Sequence, residues 1–243
     1  MINKNKIYLS IIIPAHNEEK RLPKTFYAID KYLKRQKYKA EVLVVENGSK
    51  DRTVAVTEEF AKKQKYIKLI IVKTRGKGLA VKAGMLAAKG EYRFICDADL
   101  SMPIEELAKF LPPESDSDLA IGVREGKGAK RVGEPAKRHI IGRIFNLFIK
   151  LSILPGFEDT QCGFKMFKAE AAEKLFKIQK LNGIGFDIEL IFLAKKAGYT
   201  IKEVPITWYF DPDSRIKLFK DSLRAIIEVG QICFSWIKGE YKL

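Results

Sequence analysis

The sequence predicts an α/β protein: a Rossmann-like, doubly wound, mostly parallel sheet flanked by helices, with amphipathic helices in the carboxy-terminal half. Three observations carry this expectation. Short apolar, β-branched runs alternate with helical spacing through the first hundred residues, the pattern of β-α-β crossovers. Each run ends in a polar, glycine-bearing or carboxylate cluster, and open α/β sheets bind ligands outside their strands' carboxyl ends. The 243 residues are 47% hydrophobic, enough for one large core, and no compositional break divides residues 1–243 into separate domains.

Tyr8–Ile13 is the first strand, and Leu22–Arg35 has helical spacing through Leu22, Phe26, Ile29 and Leu33, with Pro23 acceptable in its first turn. Val42–Val45 is a buried strand followed by the turn cluster Glu46-Asn47-Gly48-Ser49. Asp51 can cap a helix carrying Val54, Val56 and Phe60. Ile67–Val72 is a third strand, Gly76-Lys77-Gly78 opens a helix through Ala88, and Tyr92–Cys96 is a fourth strand. Beyond it the pattern loosens: a short helix over Pro103–Phe110, a strand over Leu119–Val123 ending in Arg124, then a loop with Gly126, Gly128 and Gly133. Glycine-rich loops of this length are mobile or functional.

Two helices close the pattern. Over 139–151 the polar residues His139, Arg143, Asn146 and Lys150 form one stripe; Ile140, Ile141, Ile144, Phe145, Leu147, Phe148, Ile149 and Leu151 fill the rest. From Lys217 to Lys238 a similarly narrow polar stripe runs along an apolar cylinder. Such broad apolar faces are buried either in protein or at a bilayer interface. No stretch reaches the ~18 apolar residues of a membrane span, and the amino-terminal run ends at Pro14 without the small-residue site of a cleaved signal.

The fourth strand ends in Asp97-Ala98-Asp99. Hard oxygen donors at a strand end suit Mg²⁺ or Mn²⁺, which keep several waters and bind through one or two carboxylates plus a substrate's phosphates. Chance and turn chemistry produce a lone D-x-D often, and loop capping is its first reading, so the motif gains meaning only from its neighbours. The net charge of +15 calls for an anionic partner: nucleic acid, an anionic membrane surface or a phosphorylated substrate. Residues 124–150 hold eight Lys/Arg against Glu125 and Glu134, beside the first broad apolar helix. Stacking aromatics interleaved with the cations would mark a nucleic-acid site, and 124–138 contains none, so no nucleic acid is expected. Cys96, Cys162 and Cys233 are odd in number and scattered, which excludes a disulfide framework; His16 and His139 have no partner at zinc-ligand spacing.

Five ordered blocks resemble the family 2 glycosyltransferases, and within them the polyprenyl-phosphate hexosyltransferases. They are Ser10–Glu19, Val44–Thr53, Gly76-Lys77-Gly78, Asp97-Ala98-Asp99, and Asp159-Thr160-Gln161-Cys162-Gly163-Phe164-Lys165 followed by Phe186–Leu190. The last looks most like the dolichyl-phosphate β-glucosyltransferases, with the mannosyltransferases near relatives. The resemblance spans about residues 8 to 220. It implies a GT-A fold in a single domain: a nucleotide-sugar half over 1–100, an acceptor half over 101–215 and an amphipathic helix over 216–243. The implied reaction is inverting, metal-dependent hexose transfer from UDP-glucose or GDP-mannose to a polyprenyl phosphate, glucose being favoured. The enzyme would be peripheral on the cytoplasmic face of the membrane.

By the same resemblance Pro14, Ala15, His16 and Glu18, with Glu46, Asn47, Gly48 and Ser49, hold base and ribose. Relatives more often show Asp-Asp where Glu46-Asn47 stands. Lys77 and Gly78 approach phosphate or ribose, Asp97 and Ala98 lie by the nucleotide, and Asp97 and Asp99 take the metal. Arg124, Lys137, Arg138 and Arg215 bind the acceptor phosphate; guanidinium forks suit phosphate oxygens. Asp99, Arg124, Asp159 and Gln161 form the catalytic set. A phosphomonoester, with a second pKa of about 6, needs no strong base, so Asp159 and Gln161 are expected to position substrate rather than abstract a proton. The sugar nucleotidyltransferases are the competing enzyme class; they open with a glycine-rich loop, and Pro14–Glu18 has no glycine.

Overall fold

The computed structural model describes residues 6–213 and 218–243. Its first half alternates strictly: β1 (Leu9–Ala15), α1 (Leu22–Leu33), β2 (Ala40–Glu46), α2 (Thr53–Lys63), β3 (Ile67–Ile71), α3 (Lys77–Ala87) and β4 (Tyr92–Ile95). A 3₁₀ turn (Ile104–Phe110), β5 (Leu119–Val123), β6 (Lys130–Val132), α4 (Ala136–Ser152), β7 (Lys165–Lys168), α5 (Ala169–Ile178), α6 (Phe186–Lys196), β8 (Ile201–Pro205), β9 (Thr207–Tyr209) and α7 (Leu218–Ile237) follow. Seven strands make the main sheet in the order β3-β2-β1-β4-β7-β5-β8, parallel except for β7, which runs antiparallel to both neighbours.

Strand periodicity divides the core. Ile12, Leu43, Val45, Ile95 and Ile121 face the layer of α3, α5, α6 and α7, while Ile11, Ile13, Val44, Phe94 and Ala120 face α1 and the 3₁₀ turn. The α3 layer sits close because Gly84 presents no side chain; a Cβ there would lie 2.5 Å from Ile12. Asp51 does hold the start of α2, accepting the Thr53 N–H at 3.0 Å, although helical geometry begins two residues later, at Thr53.

The antiparallel β7 was not foreseen. Its four residues, Lys-Met-Phe-Lys, carry charges at both ends, yet Lys165 is fully buried. The register pairs Ile95 and Ile121 with Lys165, so β7 begins at the edge where β4 and β5 finish. One reversed strand thus brings the Asp159–Phe164 segment, which precedes it, to the edge reached by the loops after β1, β2, β4 and β5. The Gly126–Gly133 loop is also less free than its composition suggests: β6 within it pairs in parallel with β9.

The two broad apolar helices are only partly buried. On α4, Ile149 is buried and Phe145 packs on the core, while Ile144 is 65% and Leu151 80% exposed. On α7, Ala225, Val229 and Ile232 face the core, and Leu223, Ile227, Phe234 and Ile237 face outward. Ile140, Ile144, Leu147, Phe148 and Leu151 recur at helical spacing and make one continuous outer stripe. The two helices are in contact with each other. Among the described residues, no helix is long and apolar enough to cross a membrane.

Candidate active site

The loops after β1 and β2 lock together through main-chain groups. Asn17, with a left-handed φ of 55°, donates its N–H to Ser49 Oγ at 2.9 Å and accepts the Lys50 N–H at 2.7 Å. The Asn47 N–H donates to the Ala15 carbonyl at 3.1 Å, and His16 Nδ1 lies 3.0 Å from the Asn47 carbonyl. The Asn47 side chain donates to the Gly76 carbonyl at 2.8 Å, joining β2 to the start of α3. Glu46 is buried and caps its own turn by accepting the Ser49 N–H. Gly48, at φ 80°, takes the left-handed position this turn requires. Glu18 is tied down by Thr53 Oγ1 at 2.8 Å and by Arg21 at 3.1 Å. Pro14 begins this wall.

Lys77 and Gly78, which the sequence placed together on the donor, have separate placements. Lys77 Nζ sits 2.7 Å from Asp97 Oδ1. Enclosure would lower its pKa, but the charges of Asp97 and Asp187 outweigh that and hold the ammonium charged. Gly78 is buried beneath the loop before α6: a Cβ there would lie 2.7 Å from the Leu181 carbonyl and 2.8 Å from Phe186. Its missing side chain serves packing.

Asp97-Ala98-Asp99 follows β4 at the cleft mouth. The buried Ala98 is fixed through its carbonyl, which accepts from Thr25 Oγ1 at 2.6 Å. Leu100 then turns with φ 49°, and the Ser101 N–H donates to Asp99 Oδ1 at 2.9 Å. Burial acts to raise the Asp97 carboxyl, but Lys77, with Lys165 and Arg124 farther off, holds it below the ordinary carboxylate range. Desolvation and the Asp97 charge push Asp99 upward. The two neighbouring carboxylates thus have opposed shifts: Asp97 is paired with Lys77, and Asp99 carries the cost of burial beside the Asp97 charge. Gly163 completes the pocket, since a Cβ there would overlap Asp97 Oδ2. Among the described residues, no group of three or more His, Cys, Asp or Glu converges as a metal cage.

Arg124 closes the other side. Its guanidinium grips Asp159 with both arms, Nε to Oδ2 at 2.6 Å and Nη2 to Oδ1 at 2.9 Å, and its backbone N–H donates to the same carboxylate. Burial would raise Asp159, but the Arg124 charge and its hydrogen bonds hold it low. The Gln161 N–H also donates to Asp159, at 3.2 Å. Arg124 and Arg131 both stack on Trp208, each 5.6 Å from the ring centre.

A cavity of about 230 Å³ runs from Lys77 past Arg124, Asp159 and Gln161 to Arg138 and Arg143 on α4. Arg138 stacks on Phe210 and faces Glu134 at 3.7 Å. Lys137 is exposed and is not part of the wall. Arg215 lies outside the described residues. The local excess of positive charge is largely answered in the fold: Arg131 meets Glu125 and Glu134, and Lys150 meets Glu158 at 2.6 Å. Among the described residues, the ion-pair partners of Arg143 are distant, Glu125 at 3.9 Å and Glu158 at 3.8 Å.

Sequence reasoning assigned no role to Arg131, Arg143, Trp208 or the buried pair Lys165–Asp187. Lys165 Nζ lies 2.6 Å from Asp187 Oδ1 and donates to the Cys162 carbonyl at 2.6 Å, bracing the Asp159–Phe164 segment from behind. Burial pushes the Asp187 carboxyl up despite Lys165 and Lys77. The signal available was the Phe186–Leu190 block itself, which showed the residues without showing their partners.

The family model for Glycosyl transferase family 2 matches residues 10–176. A dolichyl-phosphate beta-glucosyltransferase of Dictyostelium discoideum is 31% identical, with 99% of this chain and 79% of that protein covered. The Homo sapiens dolichyl-phosphate beta-glucosyltransferase is 32% identical, with 97% and 78% covered. Among solved structures, a glucosyl-3-phosphoglycerate synthase from Mycobacterium tuberculosis, in complex with Mn²⁺, UDP-glucose and phosphoglyceric acid, superposes with a TM-score of 0.67. It is 16% identical, over 94% of this chain and 80% of that one, and it shares the fold.

Proposed function

The chain belongs to glycosyl transferase family 2, and from that premise we propose that it transfers glucose from UDP-glucose to a dolichyl-type phosphate at a membrane surface. The relatives' activity supports the glucose and the lipid phosphate. The observation that carries the reading is the shape of the cleft. One cavity joins Lys77, beside the Asp-x-Asp loop, to Arg138 and Arg143 on the inner side of α4, whose outer side is an exposed apolar stripe. A diphosphate end and a lipid-facing helix therefore share one space.

The residues fit a divalent cation. Asp97 and Asp99 offer hard oxygens at the cleft mouth, burial keeps the neighbouring Cys96 a neutral thiol, and no protein cage is needed where waters and phosphates complete the shell. Asp97 and Asp99 would hold Mg²⁺ or Mn²⁺, which would neutralise charge on the departing diphosphate. Lys77 adds a fixed ammonium beside it. The walls from Pro14 to Glu18 and Glu46 to Ser49 hold base and ribose. The acceptor phosphate is ionised before it arrives, so its oxygen needs orientation and not deprotonation. Asp159, held below the ordinary carboxylate range by Arg124 and occupied by its guanidinium, is an anchor and not a base. Arg124, Arg138 and Arg143 orient the phosphate, Lys137 serves nearer the entrance, and Gln161 lines the path between donor and acceptor.

The outer stripes of α4 and α7 rest on the cytoplasmic membrane face, with Lys196 and Lys238 beside Trp236 and Phe234 toward anionic headgroups. A polyprenyl tail stays in the bilayer because each buried CH₂ is worth roughly 0.8 kcal/mol. The enzyme must therefore come to its acceptor.

The deciding experiment supplies purified protein with Mn²⁺, dolichyl phosphate and a panel of nucleotide sugars. UDP release from UDP-glucose, dependent on the lipid, is the expected result. Pyrophosphate release would indicate a nucleotidyltransferase instead, and GDP release from GDP-mannose alone would reassign the sugar. Flotation with anionic vesicles should be lost in Ile144→Asp/Leu147→Asp; equal flotation would remove α4 from the membrane surface.

A further inference from the structure

α7 reaches the donor end of the cleft through one carboxylate. Glu228 lies on the inner side of that helix and is 6% exposed, an unusual place for an acid unless it holds something. Its Oε2 accepts the Gly185 N–H at 2.6 Å, and Arg224, one turn earlier on α7, holds Oε1 at 3.1 Å. Two glycines make room for it. A Cβ at Gly183 would stand 2.2 Å from Oε1, and one at Gly185 would stand 2.6 Å from Oε2. The Glu228 carboxylate is seated in the backbone of the turn before α6.

That turn faces α3 on its other side. The Gly78 N–H donates to the Asn182 carbonyl at 3.0 Å and to the Gly183 carbonyl at 3.3 Å. A Cβ at Gly76 would stand 2.5 Å from the same Asn182 carbonyl. Lys77, between these two glycines, reaches Asp97. Gly185 also precedes α6, which carries Asp187, a second negative neighbour of Lys77. Glu228 therefore lies two contacts from the side chain beside the Asp-x-Asp loop. The helix that bears it has Ile226 and Ile227 turned outward within one turn and Leu223 turned outward five residues away.

We infer that Glu228 is a positioning residue for the donor end of the cleft. It acts through the Asn182–Gly185 turn on Lys77, so that α7 is part of the frame that sets nucleotide-diphosphate affinity. The inference rests on the proposed nucleotide-sugar reading. The Glu189 contacts show that the rest of this loop is held independently: Glu189 accepts the Lys180 and Leu181 N–H groups at 2.8 and 2.9 Å and the Tyr241 hydroxyl at 2.7 Å. Removing Glu228 should free the 183–185 end without unfolding the loop.

The test compares the full chain with Glu228→Ala, Glu228→Gln, Gly183→Ala and the double variant Gly183→Ala/Glu228→Ala. Titration with UDP in the presence of Mn²⁺ gives affinity without turnover; steady-state assays give KM for UDP-glucose and for dolichyl phosphate separately. Glu228→Ala should weaken UDP affinity about tenfold, the scale of one charged hydrogen bond lost to a buried amide. Donor KM should rise with it, lipid KM should stay within twofold, and vesicle flotation should be unchanged. Glu228→Gln keeps an acceptor oxygen for Gly185 and should recover most of the affinity. Gly183→Ala should mimic Glu228→Ala by pushing on the carboxylate, and the double variant should be no worse than either single one. The inference is overturned by wild-type UDP affinity in Glu228→Ala, by equal losses in the Ala and Gln variants, or by donor and lipid KM rising together. A wild-type chain that binds no UDP with Mn²⁺ overturns the functional reading, and this inference with it.

Discussion

The proposed donor end of the cleft is held mostly by backbone, whereas the proposed acceptor end is held by charge. Around Pro14–Glu18 and Glu46–Ser49 the contacts are main-chain amides, short side-chain caps and one left-handed asparagine. Around α4 they are ion pairs linking Arg131, Arg143 and Lys150 to Glu125, Glu134 and Glu158. Backbone hydrogen bonds hold a fixed geometry at any ionic strength, which suits a rigid base and ribose. Partly exposed ion pairs are individually weak and screened by salt. In the proposed function the acceptor phosphate competes with Glu125, Glu134 and Glu158 for these cations.

Between the two ends lies the buried Lys165–Asp187 pair, and breaking it should have the largest effect. Lys165→Met leaves Asp187 without its closest partner and should cost about 3–5 kcal/mol in denaturant unfolding. The pH dependence gives the sign. Burial raises the folded-state Asp187 carboxyl above its unfolded value, so its ionisation opposes folding as pH rises through the carboxylate range. The variant should therefore recover stability as pH is lowered. A deficit independent of pH would show that lost packing, not an unpaired charge, is responsible.

At the donor end, Asp99→Asn should reduce turnover by at least ~10²-fold, the scale of losing one electrostatic stabiliser of a leaving group. The unfolding midpoint should hold, since Asp99 sits at the exposed mouth. Normal turnover in this variant, or in wild type with EDTA, would remove the metal from the donor end.

At the acceptor end, Arg124→Lys keeps the charge but loses the fork to Asp159. It should lower kcat/KM for dolichyl phosphate by roughly 1.5–3 kcal/mol, with UDP affinity within twofold. If UDP affinity falls and acceptor use stays normal, Arg124 belongs to the donor side and the two ends divide elsewhere. The smallest expected effect is at the rim: Lys238→Ser should weaken binding to anionic vesicles by about 1 kcal/mol. That difference should vanish at high salt; a deficit that persists there would make the contact apolar.

Five strands, their order of chemistry and the Asp-x-Asp loop were legible in the chain because they are local. A β-branched run, a turn cluster and a carboxylate pair each declare themselves within ten residues, and strand-end geometry collects them at one edge. The antiparallel β7 was not legible, since Lys-Met-Phe-Lys reads as surface until Asp187 is seen against Lys165. The excess charge of residues 124–150 read as open anion-binding surface, because Glu158 lies beyond that window and Trp208 comes from another strand. Gly78, grouped by motif with Lys77, took its reason from Leu181 and Phe186. The breadth of the apolar faces on α4 and α7 was plain from spacing, but spacing cannot say which seam faces the core. Phe145 and Ile149 turn inward while Ile144 and Leu151 turn out. Sequence alone determined the elements through β5, with α4 and α7, and the residue types at their ends. Tertiary structure decided which charges are already paired, which glycines serve packing and which apolar surface remains uncovered, because each depends on residues far apart in the chain that meet only in the folded state.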